Sequence, residues 1–394
     1  MEWQTAPSGY QPAKVLLIGG GHAHVAVLAD WIRQGRPQGA QAVLLTPDPI
    51  LRYSGMVPGW IAGQHGFDDG LVDLAALAAR AGVTLVQGRC AGIDPEARVV
   101  RTDAGARIAY DLASIDTGGV GRAASLLGDD PRLIDVRPIG AFVDRLAALP
   151  AFTSVVVAGG GAGGVELAFG LRNIADVKAR PGVTLAAGAG GLLPGFAHAV
   201  QRRVTKSLAR QGITVISADA RFDGGVLMAG GQSLEPADIV VAATGSAAPG
   251  WARASGLQTD AGGFISVDAH HQSTSHPDIF AAGDVAARTD RALPHSGVHA
   301  VFAGPVIAAN LRSVLAGEAP SCTYQPRRHS LYLLNTGDGR AIASYGPFTA
   351  EGACVLALKH RIDKGWIGQY AALAGTFQPS GTGSRTADKG IFFS

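Results

Sequence analysis

The chain has 394 residues and a formal net charge of +2, too small for this length to leave an electrostatic footprint for nucleic acid. Its 55 glycines are about double the usual ~7% share, as expected of several loops that bring backbone against a ligand. Cys90, Cys322 and Cys354 lie far apart, which excludes a zinc ribbon and a local redox dithiol.

Residues 1–13 read as a loose leader, too polar for a signal peptide. No apolar run reaches the ~18 residues of a membrane span, so a cytoplasmic location is expected. Val15 to Ile18 then has the character of a buried parallel strand. It is followed by Gly19-x-Gly21-x-x-His24 and a helix over Ala23 to Gln34. That order suits a dinucleotide pyrophosphate. The first Gly makes the tight turn, the second lets the backbone approach the phosphates, and the helix N-terminus presents N–H groups and a positive dipole. His22 and Ala23, at the helix start, join the candidate binding set. His24 stands where a third Gly usually lets the helix pack close to its strand.

Gln41 to Leu45 reads as the second strand. At its end, where an acid often binds the adenosine ribose, stand Thr46 and Asp48; Thr46 can hydrogen-bond a hydroxyl, without charge assistance. Arg52 to Gly59 reads as an irregular loop, either a cover over a coenzyme or a surface turn. A helix over Leu71 to Ala81, a strand over Thr84 to Gln87 and an antiparallel excursion over Arg98 to Tyr110 follow. A short strand, Asp111 to Asp116, ends in Thr117-Gly118.

Val155 to Leu167 repeats the opening pattern in full: a Val run, Gly159-x-Gly161-x-x-Gly164, and a helix carrying Glu166 near its positive end. Gly182 to Ala186 is the second strand of this copy, again without an acid at its end. A helix over Phe196 to Gln211 and a strand over Thr214 to Ser217 come next. Asp238 to Ala243 is an apolar strand that stops at Thr244-Gly245. Two copies of loop-to-Thr-Gly make an internal repeat of whole domains, so one chain is expected to hold two dinucleotides, a flavin and a nicotinamide. The alternative is one working site beside a decayed duplicate.

Phe280 to Val285 places Gly283-Asp284 at a strand end, where a carboxylate can hold a ribityl hydroxyl of a flavin. Pro294 to His299 opens a helix through Ala309. From Ser321 the composition is mixed, with strands over Ser330 to Asn335 and Ala341 to Tyr345, a helix over Ala353 to Leu373, and a polar tail from Gly375.

With both loops, both Thr-Gly ends and Gly283-Asp284 in place, the chain resembles the two-dinucleotide-binding-domain flavoproteins of the pyridine nucleotide-disulfide oxidoreductase superfamily. Within it, the chain is similar to the branch of type II NADH dehydrogenases and sulfide:quinone oxidoreductases. Tyr53 to Gly59, Ser114 to Gly118 and Gly337-Asp338 are similar to the NADH-dehydrogenase-like proteins sometimes fused to selenophosphate synthetase. The resemblance implies an α/β fold of two Rossmann-like domains with a small C-terminal α+β region. Residues 14–120 and 246–320 would bind FAD and 121–245 would bind NAD(P)H. Residues 321–375 would form the C-terminal region and 376–394 a flexible tail. Carried over by position, Gly19, Gly21, Gly283 and Asp284 would hold FAD, with Thr46 at the ribose and Thr117 and Gly118 beside the domain crossover. Gly159, Gly161, Gly164 and Glu166 would take NAD(P)H. His295 stands where relatives often carry a Lys near the isoalloxazine ring.

His295 and Glu166 are thus the candidate catalytic residues. His295 could supply a proton or positive charge near a reduced flavin, or simply cap a helix. His22 with His24, and His295 with His299 at i, i+4 spacing, lack an accompanying cysteine or acid cluster, so no metal is expected. Val355, Leu358, Ile362, Trp366, Tyr370 and Leu373 repeat at helical spacing beside Lys359, His360, Arg361 and Lys364. Such a helix can lie on an anionic membrane or pack against its own protein. Ile362 and Trp366 would then line the approach of an apolar acceptor or anchor it.

The expected function is an FAD enzyme that takes hydride from NAD(P)H and passes electrons to a quinone or similar acceptor. The alternatives are a sulfide or selenide:quinone-type oxidoreductase, which normally relies on cysteine relays, and a slow redox-sensing flavoprotein. The expected partners are the nicotinamide coenzyme and a small-molecule acceptor, with no nucleic acid. A homodimer and peripheral contact with the inner face of the cytoplasmic membrane are both compatible with this reading.

Overall fold

The computed structural model describes residues 11–175 and 179–375. The start of the leader (1–10) and the tail expected over 376–394 lie outside the described residues. Two parallel five-stranded sheets form the body. In the first, Ala13–Ile18 runs between Ala40–Thr46 and Leu112–Ile115, with Thr84–Gln87 and Ile279–Ala281 at the edges. In the second, Ser154–Ala158 runs between Gly182–Ala186 and Ile239–Ala242, with Thr214–Ile216 and Leu133–Asp135 outermost. The registers match as well. Ile18 pairs with Leu45 and Ile115, and Ala158 pairs with Ala186 and Ala242. Each glycine loop therefore leaves its sheet at the C-terminal end of the central strand, where this class of sheet binds ligands.

Val15 to Ile18 and Val155 to Val157 are buried, as expected of strands covered on both faces. Each sheet also carries a small antiparallel one: Cys90–Asp94 with Val99–Thr102 and Arg107–Ala109, and Ala220–Asp223 with Val226–Ala229 and Gln232–Ser233. The second of these and the strand Leu133–Asp135 carry weak local signals, and the helix Ile139–Ala147, amphipathic with Phe142, Val143 and Leu146 buried, lies outside the elements expected from sequence. The chain crosses between the two sheets at Val120 and again at Ala247. The crossings pair antiparallel, each N–H donating to the other's carbonyl at 2.9 Å.

Several elements differ in bounds from the sequence expectation. Leu71–Asp73 is a strand paired with Ile50–Arg52, and the helix starts only at Leu74. The Asp73 carboxylate accepts from the Ala76 N–H at 2.8 Å and so fixes that start. The Arg52 to Gly59 stretch is ordered rather than irregular: a 3₁₀ turn over Ser54–Met56 and a helix over Val57–Ile61. Val57 and Ile61 pack into the core of the second sheet's domain beside Val165 and Phe169. That contact needs Gly170, where a Cβ would stand 3.0 Å from the Pro58 carbonyl oxygen.

The helix Gly297–Leu315 starts three residues later and ends six residues later than expected. By length and composition it could cross a membrane, although the sequence reading found no such run. Here it packs along the helix His22–Gln34. A Cβ on Gly304 would come within 2.6 Å of the Ala26 Cβ, so the glycine sets how closely the two helices approach. The C-terminal region is a three-stranded antiparallel sheet, Tyr332–Asn335, Ala341–Tyr345 and Phe348–Gly352, followed by the helix Ala353–Ala374.

Candidate functional site

Both loops place a helix N-terminus above a central strand, but they are built differently. In the first, Gly19 takes a φ of +96°, and a Cβ there would overlap the Asp116 carbonyl at 2.4 Å. A Cβ on Gly21 would meet the Asp116 carboxylate at 2.4 Å, and one on Gly283 would meet it at 2.7 Å. Three glycines expected to face a ligand thus crowd round one buried aspartate. The Asp116 carboxylate accepts from the N–H groups of Ala23 (2.7 Å) and His24 (3.1 Å), and so caps a helix whose N-cap, Gly21, has no side chain. Two donors that the sequence reading assigned to a phosphate are spent on the protein. Burial pushes Asp116 up to about 7 against the pull of those two hydrogen bonds, with the Asp284 charge adding to the rise.

Asp116 was missed although a signal existed. The second repeat reads Ala243-Thr244-Gly245 where the first reads Asp116-Thr117-Gly118, so a carboxylate is the main difference between two otherwise apolar strand ends. His24 is the other difference. Its ring is buried, with Nδ1 2.6 Å from the Gly19 carbonyl and Nε2 2.8 Å from Ser114 Oγ. The imidazole replaces close helix–strand packing with two hydrogen bonds. Burial lowers its pKa to about 4, and His22 is lowered to about 4 in the same way.

In the second loop a Cβ on Gly164 would lie 1.9 Å from the Gly159 carbonyl oxygen, the close contact that position exists to allow. Gly161, Gly163 and Gly245 face the opposite situation: a Cβ on any of them meets no protein atom within 4 Å. Gly118, next to the first loop, is open in the same sense. Glu166 is not presented to that space. It is half-buried, and its Oε1 accepts from the Asn335 N–H at 2.8 Å, tying the second loop's helix to the C-terminal sheet.

The other candidates are dispersed. Thr46 is buried and its hydroxyl donates to the Asp48 carbonyl (3.0 Å). Thr117 lies at the crossover, its hydroxyl 3.4 Å from the Gly118 carbonyl. Asp284 is buried and paired with Arg137, whose Nη2 lies 2.5 Å from Oδ2. Arg137 comes from the second sheet's domain, so this pair joins the two halves, and the sequence reading did not single it out. His295 precedes the Gly297–Leu315 helix rather than standing on it, which removes the i, i+4 geometry proposed with His299. Its ring stacks on Phe264 at 4.0 Å, in a cavity of about 420 Å³ also lined by Arg288, Asp290 and His299. His295 and Glu166 share no partner.

Between the two loops, the C-terminal helix packs against its own protein, one of the two alternatives for its apolar stripe, and meets Tyr53 of the Arg52 to Gly59 stretch. Trp366 turns inward and stacks on Tyr53 (4.6 Å between centroids), and both rings meet His22 of the first loop, at 5.2 and 5.7 Å. Lys359, one of the cations beside that stripe, is buried and ion-paired with buried Asp363 at 3.1 Å. Ile362 and Leu358 stay exposed, at 41% and 44%. Among the described residues no group of three or more His, Cys, Asp or Glu could hold a metal.

Two observations fit extended dinucleotides at these loops. Open space borders Gly118, Gly161, Gly163 and Gly245, where ligand backbone contacts would form. The buried Nε2 of His22, in the first loop, has no protein partner and can bond a ligand.

Comparison with known proteins agrees with this architecture. A family model described as pyridine nucleotide-disulphide oxidoreductase matches residues 13–304. The chain is 31% identical over 238 residues to the ferredoxin–NAD(+) reductase component of a biphenyl dioxygenase system from Paraburkholderia xenovorans, covering 58% of this chain and 56% of that protein. It is 30% identical over 104 residues to a sulfide-quinone reductase of Aquifex aeolicus, covering 26% of this chain and 24% of the relative. The chain thus spans about half the length of the first curated relative and a quarter of the second. The crystal structure of the sulfide:quinone oxidoreductase from Aquifex aeolicus superposes with a TM-score of 0.72 over 92% of both chains, at 18% identity.

Proposed function

The chain belongs to the pyridine nucleotide-disulphide oxidoreductase family, whose members bind FAD and NAD(P)H, and we propose that it passes electrons from NAD(P)H through FAD to a quinone-type acceptor. Bound FAD would supply the two-electron chemistry, taking hydride from the coenzyme and releasing electrons to the acceptor. The first loop, His22, Gly118 and the Gly283-Asp284 turn would hold FAD. The open backbone at Gly161 and Gly163 would receive the pyrophosphate of NAD(P)H. Arg137, through Asp284, would keep the two domains in register.

The observation that carries the acceptor reading is the state of the cysteines. Cys90, Cys322 and Cys354 are all free, and two of them are exposed. Burial raises the Cys90 thiol to about 11, so it stays protonated at neutral pH. Without a thiol relay, the acceptor must come to the flavin itself. This weighs against the sulfide and selenide alternatives, which need cysteine to carry sulfur or selenium. The Tyr53–Trp366 stack and the C-terminal helix form an apolar wall beside the first loop, suited to a planar organic acceptor and to excluding water. The exposed Leu358 and Ile362 on that helix are where contact with a membrane holding such an acceptor would form.

Anaerobic titration of the FAD-loaded protein tests this reading. NADH or NADPH should bleach the flavin band, and a soluble quinone should restore it faster than an oxidised iron–sulfur protein does. Re-oxidation by the iron–sulfur protein alone would replace the quinone with a ferredoxin-like acceptor. Slow bleaching by both coenzymes would favour the sensor alternative.

A further inference from the structure

Between the loops, the C-terminal helix buries charge that packing does not call for. Lys359 and Asp363 are 7% and 4% exposed, one turn apart, with Nζ 3.1 Å from Asp363 Oδ2. Lys359 also donates to the Gly55 carbonyl at 3.0 Å, and Asp363 Oδ1 accepts from the Tyr53 hydroxyl at 3.3 Å. Glu166 completes the group; its charge acts on Lys359 from the second loop's helix. An apolar cluster of the same volume would generally be no less stable than these buried charges. Burial raises the carboxyls of both Glu166 and Asp363, with Lys359 opposing the rise in each case. Burial alone would lower Lys359, but the two carboxylates hold it protonated. Two carboxylates sharing one cation leave the cluster ready to take a further proton.

Beside this cluster, the rings of buried His65 and half-buried His360 meet at 4.6 Å. His65 Nδ1 and His360 Nε2 are buried without a hydrogen-bond partner. Burial lowers both below the ordinary His range, helped at His65 by His360 and opposed at His360 by the Asp363 charge, so each ring is neutral at rest with a nitrogen free to accept a proton. The remaining charged groups acting on the pair are Asp69, Lys364, Lys359 and Asp363.

We infer that Tyr53, Asp363 and Lys359, with His65 and then half-buried His360 leading outward, form a route that carries a proton from solvent to the acceptor. The inference rests on the quinone-type reading and deepens it. NAD(P)H gives up two electrons and one proton as hydride, whereas a quinone needs two electrons and two protons to become a quinol. The balance is NAD(P)H + quinone + H⁺ → NAD(P)⁺ + quinol, and the added proton comes from water. The Tyr53 O–H bond breaks as the second quinol O–H forms. Tyr53 is reprotonated through Asp363 from the Lys359 ammonium, and the two histidines restore that proton from solvent. An acceptor that takes single electrons and no proton has no use for such a route.

The test uses the FAD-loaded protein with a soluble quinone and with ferricyanide, which takes electrons without protons. Asp363→Asn, and separately the double variant His65→Gln with His360→Gln, are compared with wild type. In both, the quinone-to-ferricyanide rate ratio should fall about ten-fold or more and fall further as pH rises. Formate should rescue the first variant and imidazole the second. Infrared difference spectra of the protein across the acid-to-alkaline range should show a protonated-carboxyl band that Asp363→Asn removes, with or without turnover. Flavin content and anaerobic reduction by NAD(P)H report whether each variant is folded. If wild type reduces quinone and the ratio is unchanged in both variants, or both rates fall together without rescue, the route is overturned and the acceptor reading stands. If wild type reduces ferricyanide but no quinone, the acceptor reading fails and the route falls with it.

Discussion

Gly161 and Gly164 lie three residues apart in one loop, yet the structure gives them opposite tasks, and substituting each separates binding from folding. Gly161 has a φ of −71°, which any residue adopts, and a Cβ there touches nothing within 4 Å. Gly161→Val should therefore meet no clash and cost at most about 1 kcal/mol, the usual penalty for an unfavourable residue at a helix N-cap. The same open space is where a pyrophosphate would approach the helix N-terminus. The valine side chain would displace one or two charge-assisted hydrogen bonds, each worth about 1.5–3 kcal/mol, so the Kd for NAD(P)H should rise by roughly ten- to ten-thousand-fold. At Gly164 a Cβ would sit 1.9 Å from the Gly159 carbonyl oxygen, a contact that only a shift of the loop or helix can relieve. Gly164→Ala should cost at least the ~1–3 kcal/mol typical of overpacking. The assay is thermal unfolding of both variants, FAD content, and stopped-flow reduction at varied coenzyme concentration. Expected are a Gly161→Val protein that melts within a few degrees of wild type, retains FAD and binds coenzyme poorly, and a Gly164→Ala protein with a clearly lowered Tm. An unchanged coenzyme Kd in Gly161→Val would show that the second loop is not the coenzyme site. A wild-type Tm in Gly164→Ala would refute the close packing of Gly164 on the Gly159 carbonyl.

Asp284→Asn removes the buried partner of Arg137 and should lower both Tm and flavin retention; because Arg137 is 35% exposed, the loss should fall below the ~3–5 kcal/mol of a fully buried pair, and unchanged flavin occupancy would remove Asp284 from the binding set. His22, His24 and His271 each have folded pKa values lowered to about 4 by burial, so they bind fewer protons folded than unfolded. Their contribution is present above about pH 6.5 and lost as pH falls toward 4, on the order of 3 kcal/mol for each when fully expressed. Asp116, raised to about 7, acts with the opposite sign over much of that range, so denaturant unfolding should show a net acid-side loss that His24→Asn makes shallower and Asp116→Asn makes steeper. Trp366→Ala should lower Tm by removing a ring stacked on Tyr53 and in contact with His22, whereas Ile362→Asp, at an exposed position, should leave Tm within a degree or two; a large loss in Ile362→Asp would mean that face is covered in solution.

The sequence by itself determined the repeated part of this protein. Buried parallel strands read as runs of Val, Leu and Ile, and a loop that must turn tightly on Gly19 or Gly159 leaves glycines at fixed spacing. Both signals are local, so the central strands, the two loops, the Thr-Gly ends and the C-terminal helix could be placed within a few residues. Short strands with mixed faces, such as Leu133–Asp135 and Phe348–Gly352, carry no such signal and were found only in three dimensions. The same holds for what each side chain does. Gly21 and Gly161 occupy equivalent places in two copies of one motif. Only the fold shows that the Asp116 carboxylate, about a hundred residues downstream, packs against Gly21 and caps the first helix, while no protein atom stands within 4 Å of a Cβ on Gly161. Lys359 reads as one of the cations beside an apolar stripe. It is buried because residue 363, one turn on, is an aspartate, and because Glu166 and Gly55 arrive from other elements to meet it. His295 and Glu166 were joined by family position, but contact requires shared space, and they have none. Charge pairing across long sequence separation depends on which faces the sheets and helices bring together, and no local pattern of residues records that.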